Sequence, residues 1–184
     1  MLRVFFTRLA LVFSVVSLGA CANIMQEGPL VTAPSANKAL VTVVRPSIFF
    51  GDAVNVYVWD NDQLIGESSS GTLFQYEADP GEHLFLGNAE NWTYAKGTLE
   101  AGKSYVLKVN VFPGTLYARA ALGVYPANDP RSGEMLKSLK SQVPIQEKNQ
   151  AYQDKHQAEA VKAVNDFKSG AVTSFATIDS SDAQ

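Results

Sequence analysis

The sequence predicts a mainly β fold, an antiparallel β-sandwich of about eight strands followed by a C-terminal α-helix. Three observations predict it. Residues 38–126 are built of short runs rich in β-branched and aromatic side chains, with turn residues every eight to twelve positions. No helical period separates those runs, which argues against parallel βαβ units and for antiparallel pairing. Residues 145–168 hold neither Gly nor Pro and much Ala, Gln, Glu and Lys, all good helix formers.

Taken in order, ALVTVVRP (39–46) is a β-branched run that ends at Pro46. Arg45, forced into an extended conformation before that proline, is available to pair with a neighbouring acid. VNVYVWD (54–60) alternates Val54, Val56 and Val58 against Asn55, Tyr57 and Trp59, and Asp60-Asn61-Asp62-Gln63 turns it into LIGES as a hairpin. TLFQYEA (72–78) stops at Asp79-Pro80-Gly81, where proline and glycine suit a tight turn, and EHLFLGN restarts at Glu82. WTYAKGTL (92–99) turns at Glu100-Ala101-Gly102-Lys103 into SYVLKVNVF (104–112), and Pro113-Gly114 leads into TLYARAALGVYP. The roughly ninety residues of this region bury one modest core, with Val43, Val56, Val58, Phe74, Leu84, Leu86, Leu107, Val109 and Tyr117 as expected members.

Beyond Pro126 the texture becomes helical, and residues 127–169 read as a helical extension. SGEMLKSLKSQV (132–143) suits a short helix ending at Pro144. In the long helix, Ala160, Val161, Val164 and Phe167 form an apolar stripe near the C-terminus. The expectation is that this end packs, on the sandwich or on a partner, while the polar first half (IQEKNQAYQDKHQ) projects into solvent. Residues 170–184, small and polar, read as a disordered tail.

At the other end, Arg3 and Arg8 precede the apolar run Leu9 to Val16 and a group of small residues, the pattern of a secretory signal. Leu9 to Ala20 is twelve residues, short of the ~20 that cross a bilayer. The run ends in Leu18-Gly19-Ala20-Cys21, which resembles the lipobox of bacterial lipoproteins. That resemblance implies a diacylglyceryl thioether on the Cys21 sulfur and cleavage between Ala20 and Cys21, leaving residues 1–20 as a removed signal. It also implies acylation of the new amino group, and Ala22 in the next position implies release to the outer membrane, facing the periplasm. Cys21 is the only cysteine, so neither an internal disulfide nor a cysteine-based zinc site is available. Residues 21–37, with Gly28, Pro29 and Pro34 and no sustained period, read as a flexible tether. Without residues 1–20, 13 basic and 18 acidic side chains remain, a net of about −5, and no basic patch stands out, which argues against nucleic acid as a partner.

Within residues 39–125, VTVVRP, VYVWDNDQLIGESSSGTLFQYEADPGEH and AGKSYVLKV resemble the small bacterial lipoproteins of unknown function that carry a prealbumin-like (transthyretin-like) sandwich. The resemblance spans about half the chain and implies the same sandwich. It carries no catalytic residues over, and the long helix lies outside it.

Reactive constellations are sparse. Asp79, Glu82 and His83 surround one turn and are of metal-ligating type, but three ligands so close together rarely converge on one ion. Ser68, Ser69 and Ser70 with His83 supply hydrolase chemistry in kind, without a G-x-S-x-G elbow. Trp59, Phe85, Trp92 and Tyr94 are of a kind that lines glycan sites, although core and sheet packing is the commoner fate of strand aromatics. Asn91-Trp92-Thr93 fits a glycosylation sequon, read as chance. The expectation is therefore a non-enzymatic envelope lipoprotein with no catalytic, cofactor-binding or metal residues. Cys21 attaches it to the membrane, and the C-terminal helix is offered to an envelope protein. A binding module for a small ligand or glycan on the sandwich face is the second reading, and a hydrolase the third.

Overall fold

A computed structural model describes residues 23–48, 51–114, 118–127, 129 and 131–184. Ala20, Cys21, the signal run and Tyr117 lie outside the described residues. In chain order the elements are β1 (Met25–Glu27), β2 (Ala39–Arg45), β3 (Val56–Asp60), β4 (Gln63–Ser68), β5 (Thr72–Ala78), β6 (Gly81–Asn88) and β7 (Trp92–Leu99). They continue with β8 (Ser104–Pro113), β9 (Ala118–Tyr125), α1 (Arg131–Ser138), β10 (Lys140–Pro144), α2 (Gln146–Lys168) and β11 (Ala176–Ile178).

The fold is mainly β, with eleven strands among the described residues rather than eight, in two sheets. The first sheet runs β1-β10-β5-β2-β8-β9 and the second β11-β7-β6-β3-β4. Both are mixed, not purely antiparallel: β2 with β8, β10 with β5 and β11 with β7 pair in parallel. The lack of a helical period within residues 38–126 did not enforce antiparallel pairing, because β2 and β8 are joined through strands of the opposite sheet, while β10 and β11 are added after α1 and α2. β5 hands the chain to β6 across the Asp79-Pro80 turn, and β7 returns it to β8 at Glu100–Lys103. The β3–β4 turn is the expected hairpin, with Asn61 at a φ of 52°, the left-handed backbone such a turn requires.

The two sheets pack face to face. Val41, Val43, Phe74, Tyr105, Leu107 and Val109 of the first meet Val56, Val58, Phe85 and Ala95 of the second. The expected core members inside the described residues, Val43, Val56, Val58, Phe74, Leu84, Leu86, Leu107 and Val109, are all buried. β2 is buried along its whole length because its other face is covered as well. There Val44, Leu73 and Val106 form a second cluster against Met135, Leu136 and Leu139, so α1 caps the outer face of the first sheet.

Three extensions of this sandwich depart from the sequence reading. The short helix expected over 132–143 ends at Ser138, and Lys140–Pro144 is a strand instead. Leu139 joins the α1 cluster, and the residues after it pair with both β5 and β1, so ladder bonds outweigh local propensity. The segment expected as a tether contains β1, with Ile24 and Met25 each only 3% exposed. The expected disordered tail supplies β11: Ile178 is buried, and the backbone of Gln184 exchanges hydrogen bonds with Ser104 at 3.2 and 2.9 Å. In each segment a few apolar residues find a ready sheet edge, a long-range partner that composition does not reveal.

α2 lies across the outer face of the second sheet. Register places Tyr57, Trp59, Leu84, Leu86 and Tyr94 on that face, and Ala160, Ala163 and Val164 are buried against the core. Phe167 packs beside Tyr94 with ring centroids 5.5 Å apart. Val161, expected in the apolar stripe, points outward and is 39% exposed, while Ala163 takes the inner position. The polar first half does not project into solvent. Leu64 donates its N–H to Gln153 at 2.9 Å and accepts from the Asn149 amide at 3.0 Å, and Tyr152 stacks on Tyr57 at 3.8 Å. β4 has an unpaired edge, and the amides of α2 satisfy it.

Candidate functional site

His83 sits near the start of β6, one strand over from Asp60 at the end of β3. Asp60 pairs with Phe85, and His83 is two residues before Phe85, so alternation turns both side chains to the same side. His83 Nδ1 lies 2.8 Å from Asp60 Oδ2, and Nε2 lies 2.7 Å from the Asp79 carbonyl oxygen. Both partners are acceptors, so both ring nitrogens must carry protons to satisfy them. The hydrogen bond that His83 donates to Asp60 accordingly raises the His83 pKa against the opposing effect of burial. The Tyr76 hydroxyl shares Asp60, and burial with that carboxylate holds it neutral far above the ordinary phenol range. This is a satisfied polar cluster at one end of the sandwich.

The Asp79–Glu82–His83 group does not converge. Asp79 pairs outward with Lys38 at 2.7 Å, Glu82 lies 3.5 Å from Lys96, and the ring of His83 is turned inward. Among the described residues, no group of three His, Cys, Asp or Glu side chains is placed to hold a metal ion. The serine run is likewise engaged locally. Ser69 Oγ lies 3.3 Å from Asn55 Oδ1 and from Glu67 Oε1, Ser70 bonds Asp52, and Ser68 is buried in β4. The nitrogens of His83 are committed to Asp60 and Asp79, leaving none directed at a serine hydroxyl.

Arg45 is buried and meets carbonyls rather than an acid. Its guanidinium donates to Val54, Gly51 and Ser68, the last at 2.9 Å. Burial lowers its pKa while the nearby Asp52 carboxylate opposes the shift. It ties the loop before β3 to the end of β4, a structural role.

The aromatic set is dispersed between faces and mostly covered. Trp59, Phe85 and Tyr94 are 1%, 0% and 6% exposed, and only Trp92 is partly open. Where α2 leaves the sheet, an open groove of about 320 Å³ remains, lined by Asn55, Tyr57, Asn88, Glu90 and Tyr152. Behind it Glu67 is buried, and desolvation raises its pKa against hydrogen bonds from the Ile24 backbone, Ser69 and Tyr57. Sequence reasoning missed Asp60, Tyr76, Glu67 and Tyr152. Asp60 was legible in principle, since an acid ending a strand of buried valines needs a partner. The helix position of Tyr152 carries no such signal.

Ile24 accepts the Ile145 N–H at 2.7 Å, Met25 donates to the Asn23 side chain at 2.8 Å, and Lys148 Nζ reaches the Asn23 carbonyl at 3.3 Å. Ile24, the first buried residue among those described, lies three positions after Cys21. No family model matches this chain, and no curated protein or solved structure does either.

Proposed function

We propose that this chain is a non-catalytic bacterial envelope lipoprotein, anchored in the outer membrane through acylated Cys21 once residues 1–20 are removed. Its β domain, of the prealbumin type that the strand motifs resemble, serves as a structural or protein-interaction module facing the periplasm. The observation that carries the reading is Leu18-Gly19-Ala20-Cys21 placed at the end of a charged-then-apolar leader and holding the only cysteine. Commitment of His83, Ser69 and Ser70 to local partners supports the absence of catalysis. Burial of the aromatic face under α2 favours this reading over a glycan site on the open sheet.

Acyl chains contribute about 0.8 kcal/mol per buried methylene, so three of them make release from the membrane negligible. Cys21→Ser is expected to abolish fatty-acid labelling and to leave the leader uncleaved at this site. Normal processing of that variant, with wild type soluble without detergent, contradicts the lipoprotein reading. Photocrosslinkers at Lys155 and Val161, exposed on the outward side of α2, are expected to capture an envelope protein in intact cells. A glycan or small ligand whose binding to purified protein is lost in Tyr57→Ala favours the second reading instead.

A further inference from the structure

We propose that the domain rides flush on the bilayer, with the start of β1 and the first turn of α2 turned to the lipid headgroups. This rests on lipidation of Cys21 and adds to it an orientation.

The inference comes from chain length set against burial. A flexible stalk was the expectation for residues 21–37, yet Ile24 is 3% exposed and hydrogen-bonded to Ile145, and Met25 is paired with Pro144 in the first sheet. Three Cα steps separate Cys21 from Ile24, and a trans chain covers at most about 11 Å in three steps. The acylated sulfur must stay near the base of the headgroup layer. That layer is about 5–8 Å deep, the difference between total and hydrocarbon thickness on one side. Only a few ångströms then remain between the headgroups and a residue locked into the fold. The chain has no room to swing the domain over.

The geometry also says which face is near. Asn23 lies against Lys148, and the exposed neighbours on this corner are Gln26, Gln146, Glu147 and Lys148. All are polar, suited to hydrated headgroups rather than to insertion. β1 is one edge of the six-stranded sheet and β9 the other, five spacings away, about 24 Å at ~4.8 Å each. Arg119, exposed on β9, is therefore far from the anchored edge.

The single-cysteine sequence makes the test direct. Once Cys21 is acylated, an introduced cysteine is the only free thiol. Lys148→Cys and Arg119→Cys, each in the full lipidated chain, are spin-labelled and placed in phosphatidylethanolamine–phosphatidylglycerol vesicles carrying a nickel-chelating headgroup lipid. The expected result is relaxation by surface nickel several-fold stronger at position 148 than at 119. Inserting a ten-residue Gly-Ser stretch after Ala22 is expected to erase most of that difference without releasing the protein. Equal relaxation at the two positions in protein that floats with the vesicles overturns the orientation and leaves the lipid anchor standing. Protein that does not float overturns the anchor and the orientation with it.

Discussion

His83 and Asp60 meet because pairing of β3 with β6 aligns residues 23 positions apart, which no local pattern in the chain announces. Their linkage to folding has a definite sign. The folded pKa of His83 lies above its ordinary value of about 6.5, so its contribution is fully present below that value and is lost as pH rises through the raised one. Urea midpoints are therefore expected to fall as pH rises from about 6.5 through the raised value, and the fall should flatten in Asp60→Asn. His83→Ala, which leaves the buried Asp60 carboxylate without its cationic partner, is expected to cost about 3 kcal/mol at pH 6, read from the same titrations. A wild-type midpoint flat over that range removes the paired imidazolium from the account. Gly97 has a different constraint. A Cβ there would lie 2.4 Å from the Ile178 Cβ and carbonyl oxygen, so Gly97→Ala should detach β11. Loss of amide protection at residues 176–178, with little change elsewhere, is the expected signature.

At the level of elements, the strands of the central sandwich were legible because β-branched runs bounded by Pro, Gly and Asn are a local signal. The β3–β4 hairpin and the long helix fell where pattern placed them, Gln146–Lys168 against an expected 145–168. The pieces that were misread are those whose structure depends on distant partners. β1, β10 and β11 are short or polar and become strands only because an edge is waiting for them. The orientation of α2 was misjudged for a related reason: amide side chains looked like a solvated face, yet Asn149 and Gln153 serve the open edge of β4. Replacing both with Ala should cost about 1 kcal/mol for each backbone group left wanting. Tyr152→Ala should cost somewhat more, about 1.5–3 kcal/mol, through lost area and lost stacking on Tyr57. Thermal denaturation of the two variants checks both values. A free, solvent-directed first half of α2 would show neither loss.

For the molecule as a whole, the strand runs of the sandwich are local patterns readable in the chain, whereas the burial of Ile24 and Met25 against distant partners is not. β1 and β11 close the edges of a sandwich whose second sheet is apolar on two sides. Trp59, Leu64, Leu86 and Tyr94 would be left to water without α2, a loss of burial on the order of 1.5–3 kcal/mol for each large side chain. α2 is thus part of the core rather than an appendage. The most direct test is amide hydrogen exchange on Val164→Asp with Phe167→Asp, which puts two carboxylates between α2 and the sheet. The account predicts that residues 56–60 and 81–99 lose protection together with 158–168. Collapse of protection in α2 alone, with those strands as protected as in wild type, would contradict it.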